Sequence, residues 1–474
     1  MWTEQLGAAT RREFLKRSSF GLGSLALAEL LNSEDAWSAT ATETDPLSPK
    51  RPHFAAKAKS AIFLFMEGGP SHMDTFDPKH ELTRFDGHPL PPSFHAADLN
   101  LQFIKASDAK LMGSRRKFQK YGQSGLEISD LFAHVAQFAD DLAIIRSCYH
   151  ESFIHGPALR LLHTGSIRLG HPSAGAWMIY GLGSESRNLP GYVVMSESNA
   201  TSDKSLFGSG FLPAVYQGTM MRTEGAPIEN LTPPPEISRA EQRLILDRIA
   251  MWNERHREER SDDTNLSGRI ANYELAFRMQ MAAPELLDIS REPEHIRKAY
   301  GMDEKRTAKF GRMCLLARRM VERGVRYVHL YKSDWDGHGE CDQNHQRSAG
   351  AVDQPIAGLL GDLKQRGLLE STLVVWTGEF GRTPIMQGQN GRDHNPYGFS
   401  TWMAGGGIRG GKAIGATDDF GFRAVEDRVH VNDLHATMLS LLGLDHQKLT
   451  YFFQGRDFRL TDVGGGNNLY SRLV

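Results

Sequence analysis

Short, almost uninterrupted apolar runs punctuate the chain at residues 58–66, 142–146, 192–195, 325–331, 372–377 and 401–404. Runs this short and lacking a polar face suit strands buried on both sides, as in a parallel sheet. Helical spacing separates several of them. It is clearest over 353–366, where Ile356, Leu359, Leu360 and Leu363 recur at steps of three and four before Gly367. This alternation predicts an α/β fold: a mainly parallel central sheet flanked by helices.

The pattern changes between about residues 233 and 300. Charged residues crowd 239–263 while Leu244, Ile245, Ile249 and Trp252 keep helical spacing, and Pro233 to Pro235 mark the start. We read a helical insertion whose charge run is a solvated face. The N-terminus has a different character. Thr10-Arg11-Arg12-Glu13-Phe14-Leu15-Lys16 precedes a moderately apolar stretch over 20–31 and then Ala39-Thr40-Ala41, which resembles a twin-arginine export signal. Residues 1–41 are therefore expected to be removed, leaving a domain over about 50–474 in the periplasm or outside the cell. The twin-arginine export machinery is the partner this implies. The apolar stretch is shorter than the roughly 20 residues that span a bilayer, and no transmembrane segment is expected in the mature chain.

Composition narrows the classes. With 474 residues, 40% of them hydrophobic, and a formal net charge of -2, the chain can bury a large core and carries no electrostatic footprint for nucleic acid. Cys148, Cys314 and Cys341 are too irregularly spaced for a disulfide framework and read as core thiols.

Ligands of open α/β sheets sit at the carboxyl ends of the strands, and there His and acidic residues recur. Glu67, Ser71, His72 and Asp74 follow the first run; His150, Glu151, His155 and His163 the second; Asp334, Asp336 and His338 the fourth; Glu379 and Arg382 the fifth; Asp393-His394 comes soon after. Asp334-x-x-x-His338 pairs a hard with a borderline donor, suited to Zn, Mn or another divalent ion, with Ca also compatible. With Glu379, Asp393 and His394, the inventory serves one ion with an open position, or two ions about 4 Å apart.

Asp334-x-x-x-His338, Glu379-Phe380-Gly381, His394 and the segment Asp433 to Gly443 follow the order seen in the alkaline-phosphatase-like superfamily of sulfatases and phosphatases. Residues His155 to Gly165 resemble the sulfatase signature. Phe-Met-Glu-Gly-Gly-Pro-Ser-His-Met-Asp, Gly-Glu-Phe-Gly-Arg-Thr-Pro, Gly-Arg-Asp-His and Phe-Gln-Gly-Arg-Asp-Phe resemble an exported bacterial family, number 1501 among domains of unknown function. The resemblance implies an alkaline-phosphatase-like sheet, with Asp334, His338, Glu379, His394 and Glu67 as metal ligands. It sets His155 where sulfatases carry Cys and phosphatases Ser or Thr, as acid or nucleophile; Arg160 and Arg382 neutralise developing charge, and Ser71 is a spare nucleophile. The activity implied is an exported, metal-dependent hydrolase of phosphate or sulfate esters, small-molecule or glycan. The alternative is a non-catalytic scaffold that binds sulfated or phosphorylated glycans. A protein that only binds partners through the helical insertion would need an exposed apolar patch there; Arg and Glu dominate that segment, and the sequence shows none clearly.

Overall fold

All six apolar runs form strands in the computed structural model, which describes residues 45–474 apart from 93, 95–107, 198–202, 223–233, 235 and 260–263. The segment expected to be an export signal, Pro233, Pro235 and the end of the charge run at 260–263 lie outside the described residues. The strands that build the main sheet are β1 (Ser60–Met66), β2 (Leu142–Tyr149), β3 (Tyr192–Ser196), β4 (Thr219–Met221), β5 (Tyr327–Lys332) and β6 (Thr372–Thr377). A hairpin of β7 (Gly381–Gln387) and β8 (Gly391–Asn395) precedes β9 (Phe399–Gly405), and two short edge strands, β10 (Lys412–Ile414) and β11 (Val429–His430), follow. The sheet order is β10-β2-β9-β6-β1-β5-β3-β4, with β11 also paired to β2. Every pairing is parallel except those of β9, which runs antiparallel to both β2 and β6. The run over 401–404 is thus the one reversed strand, a direction its apolar pattern does not encode.

The sheet is buried on both faces. In β1, Ile62, Leu64 and Met66 join one core, while Ala61, Phe63 and Phe65 join the other, as the period of two requires. The first core is closed by α5 (Ala308–Glu322) and α6 (Cys341–Gln365), the second by α1 (His155–Thr164), α2 (Ala174–Leu182) and α7 (Val431–Leu441). Each fully buried large apolar side chain here is worth about 1.5–3 kcal/mol. The helical spacing read over 353–366 is the second half of α6, which starts at Cys341 and carries Pro355 inside it. All three cysteines are buried, and desolvation pushes the Cys148 and Cys341 thiols up to about 12.

Between β4 and α5 lie α3 (Arg239–Glu259) and α4 (Thr264–Leu287). On α3, Leu244 is 63% and Trp252 62% exposed, beside exposed Ile245 and Met251. The helical spacing therefore marks a stripe that points to solvent, and the apolar patch not evident in the sequence is present. No helix among the described residues is long and apolar enough to cross a membrane.

The parallel strands β1, β2, β5 and β6 all deliver their C-terminal ends to one edge. Because β9 is reversed, the β7–β8 hairpin that leads into it reaches that same edge.

Candidate metal centre

Three loops and one helix end meet at this edge. After β5 the chain turns at Asp334, whose φ of 81° is left-handed and costs a non-glycine residue about 1 kcal/mol or more. The turn is held from α6, where Asn344 Nδ2 and Ser348 Oγ donate to the Asp334 carbonyl at 3.0 and 2.7 Å. Fully buried Trp335 anchors the next residue, its backbone N–H donating to the Glu67 carbonyl at 3.0 Å. The loop after β1 passes so close that a Cβ on Gly68 would lie 2.3 Å from the backbone nitrogen of Asp336. Gly68, at φ 111°, is needed for both reasons. In the hairpin, pairing steps from Arg392 opposite Met386 to His394 opposite Arg382. This irregularity re-aims His394, as bulges beside functional sites do. His155 is the first residue of α1.

Together these features gather His155, Asp336, His338 and His394, whose ligand atoms all lie within 4.8 Å of one another. The Nε2 atoms of the three imidazoles face the Asp336 carboxylate at 3.4, 3.2 and 3.5 Å respectively. Every Nδ1 is turned outward to an acceptor: His155 donates to Glu379 Oε1 at 2.6 Å, His338 to Gln387 Oε1 at 2.6 Å, and His394 to the Phe153 carbonyl at 3.1 Å. Acceptors at Nδ1 fix the tautomer and, in each neutral ring, leave a lone pair on Nε2. Yet Nε2 of His338 and Nε2 of His394 face each other at 2.9 Å. Two lone pairs at that distance repel unless a cation or a proton lies between them.

Electrostatics point the same way. Burial works against a charge on His155, but hydrogen bonds to Asp336 and Glu379 more than reverse this and raise its pKa to about 9. Desolvation works against the Asp336 carboxylate too, and the imidazoles and Arg382 around it outweigh this, holding it well below the usual carboxylate range. Asp336, Glu379 and Asp393 stand against the single guanidinium of Arg382. With His155 protonated this leaves one negative charge in excess, and two once an ion displaces that proton, which one divalent ion balances. Neutral imidazoles with a carboxylate, each imidazole oriented by an outer acceptor, form a donor set that fits Zn, Mn or a similar ion.

Of the residues expected from sequence, His338 and His394 are ligand-competent, and His155, expected as acid or nucleophile, joins them because both its ring nitrogens face carboxylates. Glu379 is fully buried one step behind, accepting from His155 and from the backbone N–H of Gly68. Glu67 is half-buried nearby. Burial raises its pKa, opposed by a hydrogen bond to Tyr331 and reinforced by the charge of Glu379. Arg382 is fully buried beside Asp336, and its other donors go to the carbonyls of Gly68, Gly69 and Arg392.

Three expected residues lie apart. The Asp334 side chain is 67% exposed and faces Lys332 at 3.5 Å, because the left-handed turn swings it away. Ser71 is buried and donates to Asp74, which is paired with Arg392 at 2.9 Å, so its hydroxyl is committed. Arg160 donates to the Ile167 carbonyl at 2.9 Å and faces Asp203 at 3.9 Å. Asp336 takes the place expected of Asp334. The signal for it was present: Asp336 and His338 stand two apart, on one side of an extended chain, whereas Asp334 and His338 are related by a helical step of four.

The fold and site thus define an α/β protein with a three-histidine, one-aspartate group that has the composition and spacing to hold a metal ion. The chain belongs to the DUF1501 family, described as proteins of unknown function, whose model matches residues 58–472. A search of curated proteins finds no match. Among solved structures it is similar to the PsFucS1 sulfatase from Pseudoalteromonas sp., at 10% identity and a TM-score of 0.35, covering 94% of this chain and 76% of that one. A protein in the alkaline phosphatase superfamily from Vibrio parahaemolyticus matches at 10% identity and a TM-score of 0.36, covering 89% and 75%. Ps i-CgsB in complex with k-i-k-neocarrahexaose matches at 9% identity and a TM-score of 0.33, covering 83% and 72%. At these scores the likeness carries no functional argument.

Proposed function

We propose that the protein is an exported hydrolase of phosphate or sulfate esters that depends on one divalent ion, Zn or Mn, held by His155, Asp336, His338 and His394. The observation that carries this reading is the pair of imidazole Nε2 atoms facing each other at 2.9 Å while both Nδ1 atoms are given to acceptors. When bound, such an ion supplies Lewis-acid polarisation of an ester oxygen. The chain supplies the rest. Glu379 and Gln387 orient His155 and His338 through Nδ1. The N-terminal end of α1 meets the centre at His155, and its dipole favours an anionic ester. Ser71 is committed to Asp74 and His155 has carboxylates at both nitrogens, so water is the attacking group in this reading. Without an ion the excess of carboxylates repels an anionic ester, so ester binding itself should require the metal.

The test is elemental analysis of purified protein reloaded with Zn or Mn, wild type against an Asp336→Ala, His338→Ala double variant, followed by assay on 4-nitrophenyl phosphate and 4-nitrophenyl sulfate. About one ion per chain, lost in the variant, together with ion-dependent cleavage is the expected result. Ion retention without cleavage of either ester, but with capture of a sulfated or phosphorylated glycan, moves the assignment to a binding scaffold. No ion in either protein sinks the proposal.

A further inference from the structure

A second set of three histidines lies inside the second core, where His163 stands in the last turn of the helix that begins at His155. His163 of α1, His329 of β5 and His435 of α7 all line one small internal cavity, and each is at most 4% exposed. Every other residue around it is buried as well. The cavity leaves about 10 Å³ open to the centre of a water-sized sphere, which is the room a single water needs. Each of the three carries one buried nitrogen without a protein hydrogen-bond partner: His163 Nε2, His329 Nε2 and His435 Nδ1.

The protein fixes two of the tautomers. His163 Nδ1 donates to the Leu159 carbonyl at 2.7 Å, so its Nε2 is a lone pair. His435 Nε2 donates to the Leu162 carbonyl at 2.7 Å, so its Nδ1 is a lone pair. No carbonyl dictates the tautomer of His329. We infer that this cavity is a binding site for one structural water, which donates its two protons to His163 Nε2 and His435 Nδ1 and accepts one from His329 Nε2–H. The match is stoichiometric: two fixed acceptors and one adaptable imidazole meet two donors and a lone pair. A burial cost left by three unpaired nitrogens is thereby removed.

Spacing excludes a metal in the same place. Two nitrogens on one zinc lie at most about 4.2 Å apart, whereas two bonded to one water can be about 5.8 Å apart. Among the described residues only His155, Asp336, His338 and His394 bring three or more ligand atoms all within 4.8 Å, so at least one pair in the inner trio is wider than that. The water ties α1 to β5, the two elements that lead to His155 and to the loop of Asp336 and His338.

The experiment is a high-resolution crystal structure of the mature protein, together with imidazole nitrogen-15 NMR on the wild type, which needs no variant to fold. Expected are one density peak within hydrogen-bond distance of all three nitrogens, an Nδ1–H tautomer for His163, Nε2–H tautomers for His329 and His435, and a cross-peak from the His329 Hε2 proton to a long-lived water. An absent peak, an anomalous-scattering signal at the peak, or an unprotonated His329 Nε2 would overturn the assignment.

Discussion

The protein holds two clusters of three imidazoles, and their surroundings send them in opposite directions. At the loop edge, carboxylates of Asp336 and Glu379 overcome the cost of burial and lift His155 to about 9. In the core no carboxylate bonds to the imidazoles, desolvation dominates, and His163 and His435 fall to about 4 while His329 is likewise held well below its ordinary value. The same side chain is a cation partner in one place and a neutral polar plug in the other. A count of histidines does not define a metal centre; the lone-pair convergence and the nearby negative charge do.

The largest effect that would sharpen this contrast is on acid stability. Ordinary imidazoles, as in the unfolded chain, take up protons below about 6.5, while folded His163 and His435 resist until about 4. Stability therefore falls as pH drops through that window, by up to about 1.4 kcal/mol per pH unit for each imidazole, and levels off below it. Urea denaturation at steps between pH 7 and 4 measures this, and a flat profile would contradict neutral core histidines.

The next effect separates Asp336 from Asp334. Asp336→Ala should weaken metal affinity by more than about 100-fold, the upper end of what an outer partner costs. Asp334→Ala should leave it within about twofold, since that carboxylate is exposed to solvent and competes only weakly for an ion. Chelator competition on both variants checks the pair, and equal losses would erase the distinction.

Glu379→Gln keeps the volume but removes the charge behind His155, and should cost about 10- to 100-fold in affinity. Calorimetric titration with Zn measures it. Ser71→Ala should leave metal affinity unchanged and lower stability by about 1 kcal/mol through the lost bond to Asp74. A large affinity loss there would bring Ser71 back to the centre.

Much of the scaffold was legible because a strand buried on both sides leaves a continuous apolar run, and six such runs stand out from their surroundings. Strand direction was not legible, since the pattern of β9 reads the same either way. At the site, residue types and strand ends singled out His338 and His394, which fall in the four-residue group, and Glu379, which stands behind His155 and outside that group. The choice between Asp334 and Asp336 turned on a backbone angle at Asp334 that its side-chain chemistry does not announce. Ser71 and Arg160 looked available because their partners, Asp74 and the Ile167 carbonyl, hold them through geometry that spacing does not reveal. The Leu244 and Trp252 stripe was read correctly as helical but not as exposed, because periodicity marks a face without saying what it meets.

The irregular register between Arg392 and His394 has a hereditary consequence. Loss of the two extra residues between Arg382 and Met386 would restore regular pairing, remove the local bend beside His394, and disrupt the centre while every one of its four donor residues remained encoded. A descendant gene could thus keep the full motif and lose the chemistry, and only the length of the hairpin would betray it.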